Sequence, residues 1–262
     1  MGAETMKRWL LLAVCCLAAV GRAGAWGQKG HDVTACIAEA HLTPEAAERI
    51  GRILGGRSMV YEANWMDQAS HTPPYAATLA WHYFNIDDGR TAETQPRNPA
   101  GDLLSAVTEL AERLRDGGLP AAEERDALRM LIHLAGDMHC PMHAGRSDDR
   151  GGNDIAVTFF GEESNLHAVW DTALPEAARR WSYTEWCEQT DRLTDDEAAL
   201  IGAGTPCDWI EETRALCSEV YEASPAGSDL SYDYVARFAP VVELQFLKGG
   251  YRLARLLNDI YQ

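Results

Sequence analysis

The chain has 262 residues, 46% of them hydrophobic, and a formal net charge of −17 from 40 acidic and 23 basic side chains. That is enough apolar material for one sizeable core. The acidity excludes broad electrostatic wrapping of duplex DNA, which needs many Lys and Arg against phosphates; it leaves open a nucleic-acid substrate gripped by metals and a few local contacts.

Residues 1–25 read as a secretory signal. Lys7 and Arg8 form its positive region, Trp9 to Val20 is an apolar run too short to span a bilayer, and Ala23-Gly24-Ala25 is a small-residue cleavage site. Cleavage after Ala25 would give Trp26 a free α-amine. An amide nitrogen is a very poor metal ligand, whereas an amine with a pKa of about 7.7–8.0 yields its proton to a metal near neutrality. The expected product is a secreted or periplasmic protein with no membrane span. Cys36, Cys140, Cys187, Cys207 and Cys217 would remain in it. In an exported chain they suggest one or two disulfides plus a spare thiol, with the pairing unreadable.

The remainder reads mostly as helix. Asp32 to Ala40 can form a short one. Thr43-Pro44 is an N-cap followed by a first-turn proline, and Gly55-Gly56 stops that helix. From Pro99 to Arg115, Leu103, Leu104, Val107, Leu110, Ala111 and Leu114 recur at helical spacing. Glu123 to Met138 follows, with Leu128, Leu131, Ile132 and Ala135 on one side, and Pro141 ends it. Asn153 to Phe160 alternates weakly through Ile155, Val157 and Phe159, the one strand candidate and one arm of a hairpin. Further helices are predicted over 165–172, 176–187, 195–201, 208–221 and 231–260, with Gly249-Gly250 a bend point in the last. The fold class is therefore all-α, one domain over residues 26–262, with at most one short β-hairpin.

Several polar residues are spaced as metal ligands. His133 and Asp137 are i and i+4 on one helix, so both project from the same face; His167 and Asp171 repeat the spacing. His143 lies just past the Pro141 break, where the turning chain can return it to the same cavity. His31 follows Trp26 by five residues, and Asp67 and His82 come from a separate segment. Nitrogen and carboxylate oxygen are what zinc prefers, usually four ligands, with a position left open where chemistry occurs. One H-x3-D pair is usually a core histidine beside a chance acid; two pairs and an H-x9-H step together are a stronger signal.

With these residues the chain resembles the S1/P1 nuclease family, zinc-dependent single-strand nucleases with 3′-nucleotidase activity. The matching stretches are Trp26-Gly27-Gln28-Lys29-Gly30-His31, Trp65-Met66-Asp67, Trp81-His82-Tyr83, the run from His133 to His143, Gly151-Gly152-Asn153, and Asn165 to Asp171. The resemblance implies an all-α zinc fold and three Zn2+ per chain. One would be held by Asp67, His82, His133 and Asp137, a second by His143, His167 and Asp171, and a third by the amine and carbonyl of Trp26, His31 and the other oxygen of Asp137. The implied substrates are single-stranded DNA and RNA, cut to 5′-nucleotides, and 3′-nucleotides, which lose phosphate; no stable protein partner is implied. Asp67 would be the catalytic residue, ligating metal and orienting the attacking water.

Substrate binding falls, by the same resemblance, to Tyr83 as a base-stacking ring and Asn85 at the base edge, where many members have Asp. Asn153 is a candidate phosphate contact, although Gly-Gly-Asn is equally a common turn. Members often carry Lys or Arg three residues after the aspartate matched by Asp67; here Ser70 stands there, followed by His71, so either His71 substitutes or the site leans more on zinc. His41 reads as a helix cap or surface residue, His139 as a neighbour of a ligand carboxylate or a surface residue, and Cys140 as packing. Zinc-dependent phospholipase C enzymes are similar in fold and metal set, but the short W-x4-H spacing and Asp171 favour the nuclease side. A non-catalytic zinc- or phosphate-binding protein is the other alternative, and would suit closed four-ligand sites.

Overall fold

A computed structural model describes residues 26–262; the signal expected over 1–25 lies outside the described residues. The first helices are α1 (Gln28–Ala40), α2 (Pro44–Ile53), α3 (Met59–Glu62) and α4 (Trp65–Ala69), then a 3-10 helix over Ala76–His82. Next come α5 (Leu103–Asp116), α6 (Ala121–Asp137) and a 3-10 turn over Pro141–Ala144. After the hairpin β1 (Ala156–Phe159) and β2 (Glu162–Asn165), α7 (Leu166–Ala168) runs through a π-helical turn (Val169–Ala173) into α8 (Leu174–Ala178). The chain finishes with α9 (Tyr183–Thr190), α10 (Asp195–Gly202), α11 (Pro206–Ala223), β3 (Asp229–Leu230) and α12 (Tyr232–Ile260). No helix among the described residues is long and apolar enough to cross a membrane.

The fold is all-α, as the periodicity indicates, with a three-stranded appendage in the order β2-β1-β3. β1 and β2 form the expected hairpin, Ala156 opposite Asn165 and Phe159 opposite Glu162. β3 joins β1 in parallel, Thr158 opposite Asp229; its two residues carry no alternation that a sequence could reveal. The helix expected over 176–187 is two helices. Ser182 stops the run, its hydroxyl accepting from Glu185 N while the Glu185 carboxylate accepts from Ser182 N, a capping box that starts α9 afresh. Asp102 and Ser105 do the same for α5, which begins at Leu103, the first apolar residue of the pattern, rather than at Pro99.

Two long helices set the core. α12 lies along α1, and a Cβ on Gly250 would fall 2.4 Å from Ile37 Cγ2, so the glycine serves close approach within an unbroken helix. Trp26, Trp186 and Phe246 fill the space beside α1, with ring centroids 4.7 Å (Trp26–Phe246) and 5.1 Å (Trp186–Phe246) apart. Among the described residues Cys36, Cys140, Cys187, Cys207 and Cys217 stand as free thiols.

Candidate metal centre

α6 crosses α1 at its C-terminal end, where Gly136 makes room. A Cβ there would lie 2.7 Å from His31 Nδ1, so a side chain at this position would displace the histidine ring. The crossing stacks His31 on His133, ring centroids 3.8 Å apart, and places Asp137 beside both. Asp137 is the hub. Its Oδ1 is 3.0 Å from the backbone nitrogen of Trp26 and 3.4 Å from both His31 Nε2 and His143 Nδ1. Its Oδ2 is 3.0 Å from His82 Nδ1 and 3.3 Å from His133 Nε2.

Short elements complete the ring. α4 brings Asp67 Oδ1 to 3.5 Å from His133 Nε2, and the 3-10 helix ending at His82 sets its Nδ1 3.1 Å from the same nitrogen. Pro141 starts the turn that returns His143, whose Nε2 is 3.1 Å from Asp171 Oδ1. The π turn carries Asp171, whose other oxygen is 3.1 Å from His167 Nε2; π turns are frequent at functional sites. All nine residues singled out by spacing and resemblance thus surround one buried region. Among the described residues, the ligand-type atoms within 4.8 Å of one another form three groups: His31, His133 and Asp137; Asp67, His82 and His133; and Cys140, His143 and Asp171.

The donor set fits divalent cations. His133 Nδ1 donates to Ala63 O at 2.7 Å and His167 Nδ1 to Gly151 O at 2.8 Å, which turns each Nε2 lone pair toward the carboxylates, as metal-ligating histidines are held. Both ring nitrogens of His31 and Nε2 of His82 are buried without a hydrogen-bond partner in the protein. Such groups are costly unless something pairs with them. The charges of the cluster are also strongly coupled. Burial opposes charge on Asp137, but His133 and His143 outweigh it and hold the carboxyl well below its usual range. Burial likewise opposes protonation of His133, yet Asp137 and Asp67 lift it to about 9, while burial and then the His133 charge push His31 down.

Three residues set aside from the sequence take definite places. The Cys140 thiol donates to Asp171 Oδ1 at 3.4 Å, so it packs directly on a ligand-type carboxylate. His139 touches no ligand carboxylate and is not at the surface. Its Nδ1 donates to Ala135 O, its Nε2 accepts from Arg252 at 3.1 Å, and burial with the Arg252 charge depresses its pKa to about 3. His41 caps α1 and pairs with Asp191 at 2.8 Å, as expected.

Above the cluster opens a cleft of about 420 Å³, with Asp67, His82, His143 and His167 in its floor. Tyr83, Asn85, Asn153, Ser70 and His71 all line it. Tyr83 is 40% exposed, and Asn85 Oδ1 is buried with no partner. Ser70 is 1% exposed and donates to Asp67 O, so its hydroxyl finishes α4. Asn153 Nδ2 is occupied locally, donating to Arg150 O at 2.8 Å.

Two cations in this cleft were not singled out from the sequence, Arg97 and Arg150. Arg97 is clamped by Asp102 through Nε at 2.7 Å and Nη2 at 2.5 Å, and lies 4.5 Å over the Phe84 ring. Among the described residues Arg150 pairs only with Asp154, at 3.1 Å, and both side chains are well exposed. Its place directly before Gly151-Gly152-Asn153 was the available signal; Arg97 stands in a loop with no pattern to read.

The model of the S1/P1 nucleases matches residues 26–262, every residue described here. The chain belongs to that family and is a hydrolase acting on nucleic acids. It is 30% identical to Nuclease P1 of Penicillium citrinum over 90% of this chain and 98% of that one. Nuclease S1 of Aspergillus oryzae is 28% identical over 97% and 98%, and Endonuclease 4 of Arabidopsis thaliana 25% identical over 98% and 96%.

Proposed function

We propose that this chain is exported, trimmed after Ala25, and loaded with three Zn2+, and that it cuts single-stranded DNA and RNA to 5′-nucleotides and removes phosphate from 3′-nucleotides. Asp67, His82, His133 and Asp137 would hold one zinc, and His143, His167 and Asp171 a second. Trp26, His31 and Asp137 would hold the third. The observation that carries this reading is Asp137, whose two oxygens face donors of all three sets at 3.0–3.4 Å. The Trp26 nitrogen is among them at 3.0 Å; it donates there as an amide and would be a ligand as a free amine.

Bound zinc supplies positive charge that acidifies water and neutralises phosphate oxygens. Asp67 lines the cleft with one oxygen toward His133, which suits it to hold the attacking water opposite the leaving 3′-oxygen. Tyr83 offers its ring to an unstacked base; a base inside a duplex is not free to take that place, hence the single-strand preference. Asn85 would meet the base edge with an acceptor that the protein leaves unpaired. Arg97 is already neutralised by Asp102, whereas the exposed Arg150–Asp154 pair is worth no more than about 1 kcal/mol. Arg150 can therefore exchange Asp154 for a substrate phosphate, supplying the cation absent at Ser70; His71 stands at the same cleft.

The test combines N-terminal sequencing and metal analysis of gently purified protein with a zymogram on single-stranded DNA, with and without chelator. A first residue of Trp26, three zincs and chelator-sensitive cleavage are expected. A zinc-replete protein that cleaves no nucleic acid would sink the reading. Cleavage of phosphatidylcholine instead would turn it to lipid.

A further inference from the structure

α9 packs across α1 with one cysteine from each helix at the crossing. Cys187 Sγ lies 3.8 Å from Val33 O, and Val33 is three residues before Cys36, one turn along the same helix face. The two thiols are close enough that each perturbs the other's acidity, and both are half-buried, open enough for a reagent to reach. The remaining thiols are placed differently. Cys140 and Cys217 are fully buried and directed at Asp171 Oδ1 and Pro141 O, and Cys207 stands at the start of α11.

We propose that Cys36 and Cys187 are a disulfide-forming pair, a covalent staple between α1 and α9 that holds in place the helix carrying His31. The pair closes a loop running from α2 through α8, so one bond would join the N-terminal metal-facing helix to the second half of the chain. A long closed loop removes more freedom from the unfolded chain than a short one.

The roles within the pair are unequal. The neighbouring Cys187 thiol lowers the Cys36 pKa, while the Cys36 sulfur and burial raise that of Cys187. Cys36 is therefore the attacking sulfur. As thiolate it opens the disulfide of an external oxidant, of the glutathione or thiol-oxidoreductase class, and expels one thiolate from it. Cys187 then loses its proton and attacks the mixed disulfide at the Cys36 sulfur, expelling the second. Two thiols are oxidised, one external disulfide is reduced, and the two protons end on the two departing thiols.

The proposal relies on the export reading only for a compartment that supplies the oxidant. Oxidised glutathione added to the zinc-loaded wild-type protein tests the pair wherever the chain resides, so failure of N-terminal trimming and failure of the staple are separate results. After that treatment the protein is denatured without reductant, alkylated and peptide-mapped. The expected map has a Cys36–Cys187 linked peptide, with Cys140, Cys207 and Cys217 alkylated. Alkylation of both Cys36 and Cys187, or linkage of either to another cysteine, overturns the proposal. The holding role is read from the rate at which a chelator strips zinc. Reduction should speed stripping several-fold in the wild type and leave Cys36→Ser, Cys187→Ser and the double variant unaffected. A wild-type rate indifferent to reductant would refute that role even with the bond present.

Discussion

Beneath the cleft, His31, His133, Asp137 and His143 are at most 1% exposed, and they stand on α1, α6 and the turn after α6. Their polar contacts are to one another, to Asp67, His82 and Asp171, and to backbone groups, and the helices beneath them pack so closely that Gly136 admits no side chain. Lining the cleft itself, Tyr83, Arg97 and Arg150 come from connecting segments, and their exposures are 40%, 42% and 70%. The buried wall has its positions dictated by packing, so each group serves several neighbours and none can be changed alone. The loop wall carries groups with two partners or fewer, and it can vary without disturbing the fold.

That contrast can be broken by substitution. Asp137→Asn on the buried wall should have the largest effect. Loss of a mere ligand-orienting neighbour costs about 10–100-fold in metal affinity or activity. Asp137 serves three groups, so activity should fall further and total bound zinc should drop with it; metal analysis beside a nuclease assay reads both. Full zinc content in the variant would show that its central position has no such consequence. Tyr83→Ala comes next. Stacking is worth roughly 1–3 kcal/mol per base, or about 5–150-fold in kcat/KM. The loss should appear on 3′-AMP and vanish on 3′-phosphoribose, which has no base; equal losses on both would make Tyr83 part of the scaffold. Arg150→Ala should be smallest, a several-fold rise in KM at low salt that shrinks as salt screens the phosphate contact. A fall in kcat at every salt concentration would move Arg150 to the demanding side of the comparison.

How much could be read without coordinates follows the same division. His133 with Asp137, and His167 with Asp171, were legible because a helix returns every fourth residue to one face. Pro141 announced the break that redirects His143. A support of this wall such as His139 was not legible, since it joins residues far apart in the chain: His139 meets Arg252 across 113 positions. Arg97 became part of the cleft only when the fold set it on Phe84 and Asp102. The break between α8 and α9 was hidden because a capping box at Ser182 overrode apolar spacing that runs on through it. β3 was hidden because two residues hold too little pattern to separate strand from loop.

A carboxylate shared as Asp137 is has a thermodynamic implication. A cation drawing on Oδ1 withdraws electron density from Oδ2, so filling on one side alters the affinity on the other. Linkage requires the influence to be equal in both directions. Titrating metal into the stripped protein should then give a curve whose shape departs from that of independent sites.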